Sequence, residues 1–184
     1  EMAFNPIQKF SYTTGKNSTD SALIIDAMDI LHADLVDGFC IVSSDSDYTG
    51  LAKRIREAGI FVMGIGEQKT PNAFVKSCEI FTYVENLEPK VEIPEKKEAV
   101  KKQKQNTISN VNTKFINKAY DMSINESNEA YISTLGINLR KLDPSFDVRT
   151  YGCKTLTQFF SKLPGFAVVD NVINGLNNPL IKRK

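Results

Sequence analysis

The chain has 184 residues, of which 41% are hydrophobic, and a formal net charge of +1. That length accommodates one large domain or two small ones. The near-neutral charge excludes a partner held by bulk electrostatics, so any basic surface for nucleic acid has to be local.

Cys40, Cys78 and Cys153 are odd in number and far apart, no C-x-x-C occurs, and His32 is the only histidine. This argues against a zinc site or a disulfide framework and for reduced, buried thiols, as in a cytoplasmic protein. No apolar run reaches the roughly 18 residues of a membrane span, and no signal-peptide pattern is visible at the start. The opening "EMAFNPIQKF" shows no clear first strand and reads as the middle of a domain.

In chain order, "IQKFSYT" at residues 7–13 predicts a short strand, and Gly15 a turn. Ser18 or Thr19 is a candidate cap, with Asp20 in the first helical turn, where negative charge is favoured. "SALIIDAMDIL" sets Leu23, Ile24, Ala27, Met28 and Leu31 on one face of a helix. "FCIVSS" is a charge-free β-rich run, suited to a strand buried on both faces, with Cys40 as inert core. "DYTGLAKRIREAG" predicts a helix with Leu51, Ile55 and Ala58 inward, ended by Gly59. "IFVMGIG" predicts a buried strand. In "TPNAFVKSC" Thr70 is the expected cap and Pro71 the first helical residue, and "IFTYVE" is a last strand. Strands alternating with helices predict a parallel α/β sheet flanked by helices.

Residues 88–112 differ. The stretch "NLEPKVEIPEKKEAVKKQKQNTISNVNT" around them holds two prolines, six lysines and four glutamates with few large apolar groups, and it reads as a linker. Its lysines can meet phosphate, but a solvated linker explains them as well. Residues 113–172 regain periodic apolar positions. "KFINKAYDM" and "NEAYISTLGINLRKL" predict helices, Thr155 caps "LTQFFSKL", and "FAVV" is a short strand. This is a small, mostly helical second domain. Residues 173–184 form a basic tail expected to be mobile.

In open parallel sheets, ligands sit outside the carboxyl ends of the strands. Asp45 and Asp47 follow the strand at 39–43, and Asp20 follows the strand at 7–13, so three carboxylates are expected at one sheet edge. Clustered carboxylates repel unless a cation or proton neutralises them. Mg²⁺ or Mn²⁺, hard ions that prefer oxygen, are the natural neutralisers, and such an ion can activate water against a phosphodiester. Ser43, Ser44 and Ser46 are placed to orient carboxylates or waters, and Lys16 and Asn17 to meet a phosphate. Simple helix capping by Asp47 and dipole matching by Asp20 explain the same residues without chemistry. Asp26 and Asp29 read as a solvated helix face, and His32 as a surface or structural residue. "GIGEQKT" lacks phosphate-loop spacing. "DSDYT" fits the D-x-D-x-T signature of haloacid-dehalogenase-type phosphatases, but no further acidic pair follows the last strand.

"GKNSTDSALIIDAMDIL", "DGFCIVSSDSDYTGLAKRIREAG" and "GIGEQKTPNAFVKSCEIFTY" resemble the NYN family, in its LabA-like branch of the PIN-like nuclease superfamily. The resemblance covers residues 5–87 or so, within a first domain of residues 1–87, and rests on K-N-x-x-D and S-S-D-S-D-[YF]. "LRKLDPSFDVRTYGCKTLTQFFSKLPGFAVV" resembles the LOTUS or OST-HTH domain, a small winged-helix-like module. Together they imply a metal-dependent ribonuclease with a module for RNA or protein partners. Asp20, Asp45 and Asp47 would then be catalytic and hold Mg²⁺ or Mn²⁺. Lys16, Asn17, Ser44, Arg149 and Lys154 would meet RNA, while Tyr151 and Gly152 can equally just shape a turn. The family pattern also expects an earlier strand with a further aspartate, so the sheet is expected to show an open slot. A homodimer or swapped element is one way to cover that slot. A non-catalytic scaffold that binds RNA or protein is the alternative expectation.

Overall fold

A computed structural model describes residues 5–8, 18–87, 111–173 and 175–184. The expected strand at 7–13 falls on residues without regular structure at 7–8 and otherwise outside the described residues. Lys16, Asn17 and nearly all of the expected linker also lie outside them.

The alternating apolar segments of the first domain form helix α1 (Ser18–His32), strand β1 (Gly38–Val42), helix α2 (Thr49–Glu57), strand β2 (Phe61–Gly66), helix α3 (Asn72–Ser77) and strand β3 (Ile80–Tyr83). The strands make one parallel sheet in the order β1-β2-β3, with Cys40 opposite Met63 and Gly64 opposite Phe81. The expected α/β architecture is therefore present. Val62, Phe74, Val75, Ile55 and Phe81 pack its core. A Cβ on Gly64 would sit 2.5 Å from the Phe81 ring, so glycine is what lets that ring lie across β2.

Four expectations change. Among the described residues β1 is a sheet edge, so only its Ile41 is buried, and Val42 is 71% and Cys40 substantially exposed. Cys40 is therefore not core, whereas Cys78 and Cys153 are. Leu23, expected inward, faces a groove beside β1 that is also lined by Ile7, Ile30 and Phe39, and Ala22 takes the buried position. Thr70 does not cap α3. Its hydroxyl donates to the Glu67 carbonyl at 2.6 Å, and Pro71 occupies the cap position. Ala58, also expected inward, is exposed where α2 ends, just before Gly59 turns the chain at φ +81°.

The second domain contains helix α4 (Thr113–Asp121), strand β4 (Glu129–Tyr131), helix α5 (Ile132–Leu142), helix α6 (Leu156–Lys162), strand β5 (Phe166–Val169), the short strands β6 (Val172–Ile173) and β7 (Leu176–Asn177), and strand β8 (Leu180–Arg183). Asn112 caps α4 by accepting from the Phe115 amide, and Thr155 caps α6 as expected, accepting from the Gln158 amide. The helix expected from Asn128 begins only at Ile132, because Glu129–Tyr131 pair with β8. The basic tail is not a loose end. β8 is the central strand of an antiparallel sheet, β4-β8-β5, and Ile181 is fully buried among Phe159, Phe160, Leu135 and Leu139. Helix, strand, two helices, then strand, hairpin and strand is a winged-helix-like order.

The two domains touch. The Phe81 amide of β3 donates to the Pro144 carbonyl at 2.9 Å, and Asn86 Nδ2 donates to Thr150 Oγ1 at 3.0 Å. The first bond satisfies a buried amide on an edge strand that would otherwise lack a partner. Among the described residues no helix is long and apolar enough to cross a membrane. Because Ile181 fills the centre of the second core, Ile181→Ala is expected to destabilise that domain by about 2–5 kcal/mol. Urea unfolding followed by circular dichroism checks this; a loss below about 0.5 kcal/mol would mean that β8 does not hold the fold.

Candidate active site

The residues after β1 are held by their own short polar side chains. The Ser43 amide donates to the Ile65 carbonyl at 2.9 Å, extending the ladder by one residue. Ser43 Oγ then accepts from the Asp45 amide at 3.0 Å, and Asp45 Oδ1 from the Asp47 amide at 2.9 Å. The Asp45 bond caps a single 3₁₀ turn, Ser46–Tyr48, from which α2 continues. Ser44 Oγ accepts from the Glu67 amide at 2.9 Å and so ties the loops after β1 and β2 together. Gly66 permits this closeness: a Cβ there would lie 2.5 Å from the Ser43 carbonyl oxygen. Asp45, rather than Asp47, is thus the capping residue. Tyr48 stands at the N-cap of α2 but makes no side-chain capping bond to it.

Asp20 enters from α1. Its Oδ1 accepts from the Tyr48 hydroxyl at 2.7 Å. Tyr48 is only 5% exposed, and its ring packs against Phe74. Burial first, then the hydrogen bond to Asp20, then the charges of Asp20, Asp45 and Asp47 push the phenol up to about 12. The same phenol therefore feels all three carboxylates, Asp20 through a direct hydrogen bond and Asp45 and Asp47 through their charges. Asp45 and Asp47 are exposed to solvent and Asp20 is half-buried. Tyr48 is the residue that sequence reasoning passed over as a functional group. Its signal was the aromatic position of S-S-D-S-D-[YF], directly after the second aspartate.

The remaining candidates lie elsewhere. Arg149 is locked to Asp147 by Nε at 2.9 Å and a further guanidinium nitrogen at 2.5 Å. Burial acts to raise the Asp147 carboxyl, but the hydrogen bonds from Arg149 outweigh it and hold the group below its usual range. Gly152, at φ +70°, ends the turn Val148–Tyr151, and the Tyr151 ring packs on Phe146 and Phe159. Those two residues therefore have a complete structural role. Lys154 is exposed, and with Arg149 it lines a cleft of the second domain that includes none of the three aspartates. On α1, His32 Nδ1 lies 2.7 Å from the Met28 carbonyl oxygen, and its ring is exposed, as expected.

The donor set around Tyr48 is all oxygen, which suits Mg²⁺ or Mn²⁺ rather than zinc. Among the described residues, however, no three acidic, histidine or cysteine side chains stand in ligating positions. The convergence expected from the sequence is thus one of shared electrostatic field, without an assembled ligand cage.

The family model described as the NYN domain matches residues 1–87, and that described as the OST-HTH/LOTUS domain matches residues 95–177. No curated protein and no solved structure matches the chain.

Tyr48→Phe removes the bond to Asp20 and is expected to cost about 1–2 kcal/mol at neutral pH. The sign of the pH effect follows from the raised phenol. The folded state holds this proton more tightly than the unfolded chain, so stability is full below pH 10 and falls as pH rises toward 12. The variant should lose stability less steeply over that window. Urea midpoints of both proteins at neutral and alkaline pH measure it, and parallel pH dependences would show that Tyr48 is not the group responsible.

Proposed function

The chain joins an NYN domain to an OST-HTH/LOTUS domain, and from that premise we propose that it hydrolyses RNA phosphodiester bonds in a reaction that requires Mg²⁺ or Mn²⁺. NYN is a nuclease-type domain and LOTUS an RNA-binding one, so the pairing itself speaks for an RNA-related nuclease with a binding module. What supports the finer reading is the Tyr48 hydroxyl, bonded to Asp20 and within the field of Asp45 and Asp47, at the end of the sheet where parallel α/β proteins bind ligands.

In this reading the three aspartates hold the ion and orient an attacking water. A bound ion would supply an activated water and offset charge on the phosphate. The Tyr48 hydroxyl fixes one Asp20 oxygen, leaving the other for the site. The Asp47 amide fixes Asp45 in the same way through Oδ1. Ser44 anchors the loop, and Lys16 and Asn17 meet the substrate phosphate. The second domain retains the RNA.

A non-catalytic scaffold is the second reading. It is favoured by the lack of an assembled ligand group among the described residues and by the capping role that already explains Asp45.

The test uses asparagine, whose side-chain oxygen still accepts the Tyr48 and Asp47 bonds while the charge is lost. Labelled RNA should be cleaved with Mg²⁺ or Mn²⁺ and not with EDTA, and Asp20→Asn, Asp45→Asn and Asp47→Asn should each reduce the rate at least about a hundredfold. RNA binding with no cleavage under either metal establishes the scaffold. Phosphate release from monoesters without RNA cleavage turns the assignment to a phosphatase.

A further inference from the structure

Two clefts meet at the last turn of α5. One, of about 480 Å³, lies between the domains and is lined by Arg56, Lys76 and Glu79 from the first and by Ile137, Arg140 and Lys141 from the second. The other, of about 340 Å³, lies on the second domain and includes Arg140, Arg149, Lys154 and Asp147. Arg140 lines both and joins them.

Both carboxylates of this groove are already engaged. Glu79 accepts from Arg56 Nε and from the Val62 amide, each at 2.9 Å, and Asp147 is held by Arg149. The four other cations, Lys76, Arg140, Lys141 and Lys154, are exposed, and among the described residues their side chains form no salt bridge. In a chain of net charge +1, this is a concentrated positive surface. Three of the four sit in the last turns of α3 and α5, where a cation complements the helix dipole. Dipole matching accounts for each locally, but not for their alignment along one groove from two domains. Ile137, 56% exposed, adds an apolar wall beside them. Repeated cations beside apolar surface suit a flexible polyanion with apolar bases.

We propose that this groove binds the backbone of single-stranded RNA across both domains. The groove also has a defined place relative to the aspartates. Arg56 and Lys76 end their helices, and Ile80 opens β3, so the groove lies at the amino ends of the parallel strands, opposite the Asp45 turn. The six residues of β2 separate the two ends by about 20 Å. Long RNA can occupy both ends, whereas a dinucleotide cannot. The proposal rests on RNA being the ligand of this protein, but not on its being cleaved.

The full chain is titrated into a labelled single-stranded RNA of about twenty nucleotides, in EDTA, over a range of salt concentrations. Arg140→Gln/Lys141→Gln should weaken binding at least tenfold and flatten the log–log salt slope by about 1.4, or about 0.7 for each lost phosphate contact. Lys76→Gln, in the other domain, should flatten it by about 0.7, and Lys53→Gln, exposed on α2 outside the groove, should change nothing. Unchanged affinity and slope in the double variant overturn the proposal, as does an equal loss in Lys53→Gln. A silent Lys76→Gln overturns the two-domain groove. Loss of binding to an acidic peptide, with RNA binding intact, assigns the groove to a protein partner instead. If RNA binding follows the expected pattern while wild-type protein cleaves no RNA with metal, the groove stands and the nuclease reading fails.

Discussion

The hydrogen bond from Tyr48 to Asp20 joins elements that the sequence keeps 28 residues apart. It fastens α1 to the turn that follows β1, so the helix and the sheet edge share one rigid point. It also decides where negative charge collects. Like charges at close range raise one another's energy, and a buried phenol that must stay protonated gives one carboxylate a donor in place of water. The tyrosine is held in turn by Phe74, and the turn by the glycine at 66, which lets the Ser43 carbonyl close against β2. A candidate site of two exposed aspartates and one half-buried one thus depends on buried, uncharged groups behind it.

The second domain acts on the same sheet from its other edge. A β3 amide facing away from β2 needs an acceptor, and the carbonyl of Pro144 supplies one. Proline is well suited there, since it offers an acceptor without an amide of its own. The docking brings α5 beside the ends of α2 and α3, and the interdomain groove follows from that placement.

Much of the architecture was legible because it depends on local periodicity and capping. The 3.6-residue pattern marked α2, and Thr155 marked the start of α6. The readings that changed turn on distant partners. "PLIKRK" is charged and terminal, so it reads as a tail, yet one apolar residue, Ile181, and two neighbouring strands make it the centre of a sheet. "FCIVSS" has the composition of a central strand but occupies an edge among the described residues, which composition does not encode and which goes with the exposure of Cys40. At the candidate site, Asp45 and Asp47 follow β1 as the sequence implies, whereas the strand expected before Asp20 is irregular at 7–8 and otherwise outside the described residues. Tyr48 was not legible, because a tyrosine beside acidic residues reads as core until its hydroxyl is seen to meet Asp20.

The distribution of charge shapes what the protein can do with RNA. The end of the sheet bearing Asp20, Asp45 and Asp47 repels phosphate unless a cation intervenes, so it is a poor source of affinity on its own. Binding energy has to come from surface that attracts the backbone without taking part in chemistry. The opposite end, with lysines and an arginine that form no salt bridge among the described residues, has that character. On the proposed reading, separating attraction from reaction in this way would let the groove hold a strand while the acidic end engages only the segment presented to it. Because the cations belong to both domains, the affinity and the relative placement of the domains become linked. RNA that spans the groove favours the docked arrangement that Phe81 and Pro144 define, and that arrangement in turn completes the groove.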